Sequence, residues 1–113
     1  GVEVYSSGWG FFGQLGHGDE EDQYLPKLIE AMRGKRVVKV SAGKYHRLVL
    51  TENGGVYSFG YGNRGELGHG DQEDQTLPKL IEAMKDKRAV QVSAGGHHSL
   101  VLLYTGDASA APL

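Results

Sequence analysis

The sequence of 113 residues contains no cysteine, which excludes disulfides, thiolate zinc sites and cysteine nucleophiles together. No apolar run approaches the roughly 20 residues that a membrane-spanning helix needs, and the first residues lack the basic and apolar regions of a signal peptide. Neither sign of charge dominates, because 12 basic residues face 14 acidic ones and the formal net charge is -2. These absences predict a soluble protein of the cytoplasm or nucleus, with no membrane partner and no signature of nucleic-acid binding.

Glycine, by contrast, is abundant, with 18 of the 113 positions against a usual share of about 7%. Much of it lies in a duplicated segment. Residues 4–50 align without a gap with residues 56–102, and about 33 of the 47 aligned pairs are identical. A period near 50 residues is typical of propeller blades and related arrays. The chain therefore carries two copies of one structural repeat.

Three segments of each period carry β-branched and aromatic residues in partial alternation, which favours strands. In the second copy they are VYSFG (56–60), RAVQVSAG (88–95) and HHSLVLL (97–103). A fourth segment, LPKLIEAM (77–84), also has helical spacing, but Pro78 restricts a strand there to a sheet edge or a strand start. We expect a short outer strand over 77–81, followed by a turn or a single helical turn.

Two turn signals join these segments. Asn53-Gly54 lies between HRLVL and VYSFG and accepts positive φ at both turn positions, which predicts a tight hairpin. Gly43, in SAGKYH, allows the reversal between VVKV and HRLVL,. The predicted fold class is therefore all-β, with four-stranded antiparallel sheets of the kind that form the blades of a β-propeller.

The chain is expected to contain two blade-equivalents. Residues 36–83 form one complete blade, residues 2–32 supply the outer two strands of a preceding blade, and residues 88–104 supply the inner two strands of a following one. Half-blades expose unpaired backbone and apolar side chains, which proteins avoid, so we expect completion by oligomerisation or by further repeats of a longer chain. The repeat unit spans residues 1–103, and the stretch 104–113 is predicted to be a disordered tail.

The run GGVYSFGYGNRGELGHGD, followed by LPKLIEAM, VVKVSAG and HHSLVL, resembles the repeat of the regulator of chromosome condensation family. The resemblance covers residues 2–103 and implies the seven-bladed propeller of full members. It also implies activities that the members divide among themselves: guanine-nucleotide exchange on the small GTPase Ran, chromatin association, accessory domains of ubiquitin ligases, trafficking scaffolds and light sensing. None follows from the repeat itself, because function in such folds lies in surface loops and insertions. The first copy departs from the pattern at Ser7, where the second has Phe59.

The LGHGD motif of each copy places a histidine near a carboxylate, which suits a metal pair or an acid-base dyad. The alternative, which we favour, is that both side chains brace a glycine-rich loop through hydrogen bonds to its backbone. Recurrence in each blade suits architecture better than catalysis. The residues concerned are Gly16, His17, Gly18 and Asp19 in the first copy, and Gly68, His69, Gly70 and Asp71 in the second.

A second pair of histidines follows the SAG turns, His46 after Gly43 and His98 after Gly95. We expect each histidine to be buried and hydrogen-bonded to a neighbouring blade, with a metal cluster around a central channel as the alternative. No Ser-His-Asp arrangement is recognisable, and the glycine runs lack the features of a phosphate-binding loop. No catalytic residue, metal site or cofactor is therefore predicted.

The two copies differ most in the loop before LGHGD, where the first copy is rich in aromatic residues. Clustered aromatic side chains fill a gap or meet a partner. The candidate partner surface consists of Trp9, Phe11, Phe12, Tyr61 and Arg64. The acidic stretches DEEDQ (19–23) and DQEDQ (71–75) suit a cation or a basic partner peptide, but their spacing is not that of an EF-hand, and a solvated loop is the favoured interpretation.

The predicted function is that of a non-enzymatic scaffold for protein–protein interaction. It assembles with copies of itself into a closed ring, or with the missing blades of a parent chain. Three chains would supply about six blades and four chains about eight. The alternative is a module of a guanine-nucleotide exchange factor or another regulator of a small GTPase. A metal-dependent or hydrolytic enzyme is a distant third.

Overall fold

A computed structural model describes residues 1–105 of the chain. Its strands, in chain order, are β1 (Tyr5–Gly8), β2 (Gln23–Leu28), β3 (Val37–Ala42), β4 (His46–Thr51), β5 (Val56–Gly60), β6 (Gln75–Leu80), β7 (Arg88–Ala94) and β8 (Ser99–Tyr104). Two single 3-10 turns, Glu30–Met32 and Glu82–Met84, follow β2 and β6. Within the described residues, no helix is long and apolar enough to cross a membrane.

The strands form three antiparallel sheets, as the repeat predicts. The complete blade has the order β3-β4-β5-β6, the outer half-blade is the pair β1-β2, and the inner half-blade is the pair β7-β8. The all-β partial propeller is therefore confirmed. In the outer strand of the complete blade, Pro78 lies at the sheet edge, where its missing N–H costs no ladder hydrogen bond,.

The hairpin between β4 and β5 has the predicted pairing, but its turn differs from the prediction. Gly54 has a φ of +87°, whereas Asn53 does not have positive φ. The Gly54 N–H donates to the Thr51 carbonyl at 3.0 Å, and the Thr51 N–H donates to the Gly55 carbonyl at 2.9 Å. The predicted two-residue turn is therefore wrong. The loop is longer, and Gly54 alone within it has the left-handed conformation,.

The inner half-blade extends slightly further than predicted. Strand β8 ends at Tyr104, which pairs with Arg88 and lies below its guanidinium, 5.5 Å from the ring centroid. The predicted tail therefore does not begin at Tyr104. Residues 106–113, the rest of that tail, lie outside the described part of the chain.

The apolar core lies between neighbouring blades rather than within one sheet. The cluster between the outer half-blade and the complete blade consists of Ile29, Met32, Val37, Val49 and Phe59. The cluster between the complete blade and the inner half-blade consists of Leu48, Leu50, Val56, Ile81, Ala89 and Val92. Each blade is thus stabilised mainly by burial of apolar surface against its neighbour.

Two backbone hydrogen bonds join the blades beside these clusters. The Gly18 N–H donates to the Thr76 carbonyl at 2.9 Å, and the Lys44 N–H donates to the Gly95 carbonyl at 3.2 Å. At Gly16, a Cβ would lie 2.9 Å from the Phe59 ring, so the absence of a side chain allows the aromatic ring to pack directly on the loop,.

Replacement of Gly13 by alanine should destabilise the fold more than replacement of its repeat counterpart, Gly65. Both glycines have nearly equal positive φ, +78° and +77°, so the backbone strain is shared. A Cβ at Gly13 would lie 2.7 Å from the Thr76 Cα of the complete blade, whereas nothing lies within 4 Å of one at Gly65. We expect Gly13→Ala to lower the free energy of unfolding by about 1–3 kcal/mol more than Gly65→Ala. Urea denaturation followed by circular dichroism measures both, and equal losses would contradict the inter-blade contact.

Candidate functional site

The two LGHGD loops are held by a serine–histidine pair in each copy. In the complete blade, the Ser58 hydroxyl donates to the Leu67 carbonyl at 2.7 Å. Because a hydroxyl has one proton, the His69 Nε2 at 2.9 Å must donate to the Ser58 oxygen. The outer half-blade repeats the arrangement, with Ser6 bonded to the Leu15 carbonyl at 2.6 Å and to His17 Nε2 at 3.0 Å. Each histidine thus ties its loop to a strand.

The aspartates of these loops bond to backbone, not to the histidines. Asp19 and Asp71 each accept a hydrogen bond at 3.1 Å from the N–H two residues further on. Burial has the largest effect on the pKa of His17 and of His69 and lowers both. A nearby lysine lowers each pKa further, and the aspartate has a smaller effect that raises it. The histidines are therefore neutral donors near pH 7. Gly16, Gly18, Gly68 and Gly70 all have positive φ, between +77° and +87°.

His46 is fully buried between the complete blade and the inner half-blade. Its Nε2 lies 3.1 Å from the His98 carbonyl and 3.0 Å from the Ser99 hydroxyl oxygen. Ser99 donates its proton to the Glu66 carbonyl at 2.7 Å, so Nε2 carries the hydrogen that both acceptors share. Nδ1 is buried without a partner. Gly43 lies against this edge of the ring, where a Cβ would collide with Cε1.

Gly43 thus has a different role from the one predicted. It does not have positive φ; its missing side chain makes room for the His46 ring and the Gly95 carbonyl. Gly95 has the same relation to the ring of His98, but His98 is exposed because no blade follows it in the described chain. The two histidines have equivalent positions in the repeat and opposite environments.

Glu66 is a buried carboxylate at the same boundary. It accepts a hydrogen bond from the Arg64 N–H at 2.8 Å, and its other oxygen lies 3.3 Å from His97 Nδ1. Burial alone would raise the pKa of Glu66, but backbone N–H groups and His97 together outweigh it and lower the pKa. The first copy has the neutral, equally buried Gln14 here, bonded to the Phe12 N–H at 2.8 Å.

Five aromatic side chains form one continuous cluster at the end of the strands from which the long loops leave. We call Trp9, Phe11, Phe12, Tyr45 and Tyr61 the aromatic cluster. Trp9 and Phe11 lie with nearly parallel rings, 6.0 Å between centroids, and Phe12 joins them to Tyr61 at 4.6 Å. Trp9 is 50% and Phe11 56% exposed. The cluster bridges two blades and leaves its Trp9 end open to solvent.

The structure therefore brings together four of the five predicted partner-surface residues. The fifth, Arg64, occupies the position of Phe12 in the second copy but lines the cleft beside His97 and Val101 instead. Sequence reasoning missed Tyr45. The only signal for Tyr45 was its place in the turn next to Gly43, since loops that leave the same end of neighbouring strands meet in space.

The described residues offer no group of three or more histidine, aspartate or glutamate side chains that could hold a metal ion. The serine and histidine pairs bond to backbone in a way that leaves no activated nucleophile. The arrangement of the site is that of a braced scaffold carrying an exposed aromatic surface. The exposed rings of Trp9 and Phe11 offer a surface for contact with another molecule,.

Comparison with known proteins agrees with this architecture. The family profile of the regulator of chromosome condensation (RCC1) repeat matches residues 3–50 and 53–102. The ultraviolet-B receptor UVR8 of Arabidopsis thaliana is 42% identical over 95% of this chain, which spans 24% of the receptor. The E3 ubiquitin-protein ligase HERC2 of Homo sapiens is 43% identical over 93% of this chain, which spans 2% of the ligase.

Among solved structures, Prp20p of Saccharomyces cerevisiae superimposes with a TM-score of 0.81 at 24% identity. The match covers 94% of this chain and 28% of Prp20p, whose structure was described together with its binding to Gsp1p and histones. At this identity, the likeness establishes the fold. The chain therefore spans about a quarter of Prp20p and of UVR8, and a much smaller part of HERC2.

A neutral substitute for His46 should flatten the dependence of stability on pH. Burial lowers the pKa of His46 from 6.5, more than the His98 carbonyl and Glu66 raise it, so the unfolded chain takes up the proton first. Stability is then lost as the pH falls below about 6.5. We expect His46→Gln to reduce the loss between about pH 7 and pH 5, measured by urea denaturation at both values.

The matched control is His98→Gln, which changes the equivalent histidine one repeat away, exposed in the single chain. In the dissociated chain we expect this variant to lose more stability with falling pH than His46→Gln does, because it keeps the buried His46. His17 and His69 remain in both variants, so their contribution cancels in the comparison. An unchanged pH dependence in His46→Gln would contradict the assignment of a neutral, buried imidazole.

Proposed function

The chain belongs to the regulator of chromosome condensation (RCC1) repeat family, and on that premise we propose that it is a non-enzymatic interaction module that completes its propeller with further copies of itself. Related propellers are regulatory and interaction modules. The observation that carries the proposal is the match between the two unfinished ends of the chain. Each end exposes apolar side chains whose repeat counterparts are buried inside the molecule.

The edge strand β8 shows this most clearly. Leu100 and Leu102 are 66% and 58% exposed, whereas their counterparts Leu48 and Leu50, one repeat earlier, are 0% and 3% exposed. The difference arises because Leu48 and Leu50 lie on a strand with neighbours on both sides and pack against a following blade. Burial of one leucine contributes about 1.5–3 kcal/mol, so the open end favours association strongly.

The other end of the chain offers the complementary surface. Val40 on β3 is 56% exposed, whereas its counterpart Val92 on β7 is 3% exposed and packs against Leu48 and Leu50. An open cleft runs beside Val40 between the outer half-blade and the complete blade, where inner strands are missing. A half-blade from another copy would fill that cleft and bury Val40.

The repeat also specifies the register of the junction. Within the complete blade, His46 pairs with Gly60, Leu48 with Ser58 and Leu50 with Val56. Shifted by one repeat, β8 would pair with β1 of a second copy, with His98 opposite Gly8, Leu100 opposite Ser6 and Leu102 opposite Val4. This contact is head-to-tail, so it closes into a ring if the rotation permits. Three chains would give about six blades and four about eight.

Leu100→Glu should prevent this assembly, because it places a charge at a position that the junction buries. We expect the wild-type chain to run at three or four times its mass of 12.2 kDa and the variant to run as smaller species. Native mass spectrometry at about micromolar concentration, where a nanomolar-to-micromolar complex is populated, measures both.

The control is Val38→Glu, which changes an equally exposed valine whose counterpart Val90 remains half-buried. We expect a smaller effect on mass from this change. A well-folded monomer of the wild-type chain would end the self-assembly proposal and leave completion by further repeats of a longer chain. In that case, the chain would be one segment of a propeller, and its relatives contain such a propeller in full.

A second candidate function is regulation of a small GTPase. The observation that favours it is the likeness to Prp20p, which binds Gsp1p. In this interpretation the chain is one part of an exchange factor, and its long loops contact the GTPase.

Nucleotide release from a panel of small GTPases tests this candidate directly. We expect acceleration by a completed propeller that contains this segment, because an exchange factor binds the nucleotide-free GTPase best. Matched variants in the exposed loop, such as Phe11→Ala, should reduce the acceleration. Release at the intrinsic rate for every GTPase would end this candidate and leave the scaffold proposal unaffected.

A further inference from the structure

The exposed end of the aromatic cluster is flanked by carboxylates that the fold fixes in place. Gly10 lies between Trp9 and Phe11 in the sequence, and its N–H donates to Asp22 Oδ1 at 2.9 Å. A Cβ at Gly10 would collide with the Glu21 carbonyl, so the acidic stretch packs directly on the aromatic loop. Acidic side chains therefore stand beside the exposed rings.

The second copy repeats this arrangement at the other end of the cluster. The Gly62 N–H, next to Tyr61, donates to Asp74 Oδ1 at 2.9 Å. A Cβ at Gly62 would collide with the Glu73 carbonyl. The aromatic cluster thus has an acidic flank on each of two blades, in the same relation to its rings. We call the cluster and these flanks the acidic aromatic surface.

The charge of this surface is not neutralised by the chain itself. The loops that form it carry seven exposed carboxylates, which are Asp19, Glu20, Glu21, Asp22, Asp71, Glu73 and Asp74. The cations of these loops are Lys44 and Arg64, and two strand lysines, Lys27 and Lys79, lie near His17 and His69. In the described part of the chain, none of the seven makes an ion pair, since the carboxylates that do are Glu30 with Arg33 and Glu52 with Arg36, and Glu66 is the one that lies beside a histidine, His97. A cationic partner would gain long-range attraction there.

The rings themselves are suited to a cation. Lys44 already places its ammonium 5.3 Å from the centroid of Tyr45, a member of the cluster. Tryptophan is the strongest aromatic partner of a cation, and arginine adds stacking of its planar guanidinium to the electrostatic attraction. Trp9 and Phe11 offer nearly parallel, half-exposed rings that no cation of the described chain covers.

We propose that the acidic aromatic surface binds an extended arginine-rich peptide segment of a partner protein. The guanidinium groups stack on Trp9 and Phe11, and neighbouring basic side chains face the carboxylates around Asp22 and Asp74. The proposal rests on the proposed function as an interaction module and names the chemistry of the partner. It does not depend on self-assembly, because both flanks and all five rings lie within one chain.

Trp9 gives this proposal a direct reporter, because it is the only tryptophan of the chain. The full 113-residue chain is titrated with a peptide of about ten residues in which arginine alternates with glycine, about 33 Å long when extended. We expect a saturable change in Trp9 emission. We expect binding to weaken severalfold when salt is raised from about 0.05 M to about 0.3 M, since exposed charges are screened. The same peptide with glutamate in place of arginine should not bind.

Two sets of variants separate the rings from the charges. Phe11→Ala should weaken binding about threefold to thirtyfold, the range expected for loss of one cation–aromatic contact. Tyr24→Ala, which removes a fully exposed aromatic side chain from β2 outside the cluster, should leave binding unchanged. The charge variant is Asp22→Asn with Asp74→Asn. It keeps the Oδ1 acceptor for Gly10 and Gly62 and should weaken binding severalfold.

The control for the charge variant is Glu52→Gln with Glu82→Gln, which removes the same charge from the opposite end of the strands and should leave binding unchanged. The proposal is overturned if Trp9 emission does not respond to the arginine peptide at about 1 mM, the weak limit of specific binding. It is also overturned if the glutamate peptide binds equally. Mass measurement of each sample keeps this outcome separate from failure of the proposed assembly.

Discussion

The contact on which the rest of the structure depends is the packing of the glycine-rich loop of one blade on the strands of the next. Gly18 donates to the Thr76 carbonyl, and Gly16 receives the ring of Phe59. Neither contact is available inside a single sheet. A four-stranded sheet of this length cannot bury its own apolar side chains, so each blade is stable only through its neighbours. Repetition of the sequence is therefore a physical requirement of the fold.

The same dependence explains why two nearly identical copies have different surroundings. Leu48 and Leu100 share a motif and a strand position, but the first is buried and the second is open because a neighbouring blade is present on only one side. His46 and His98 differ in the same way. Residues of the complete blade thus show the surroundings that their repeat counterparts at the two ends would have in a completed propeller. That internal reference supports both the register and the apolar surfaces of the proposed junction.

Three of the five histidines have a structural role, and the proposed function lies in the loops. His17 and His69 are engaged with Ser6 and Ser58, and His46 is engaged with the inner half-blade. The Trp9 and Phe11 end of the aromatic cluster is not engaged in this way, because it lies at the surface and the second copy has Tyr61 and Asn63 at these positions. Exposed apolar side chains that make no contact needed for the fold are the ones most available to a partner.

The sequence by itself determined the repeat, the all-β class, the strand segments, the partial-blade organisation and the glycine-rich loops, because these depend on periodicity and on local backbone preference. It did not determine the turn at Asn53-Gly54, where local propensity allows several loop lengths and strand twist selects one. Only the tertiary structure decided that Tyr45 joins Trp9 and Phe12, and that Arg64 lies apart beside His97. It also decided that Asp22 and Asp74 flank the rings, since contacts between loops far apart in the chain depend on how the blades pack and leave no local pattern in the sequence.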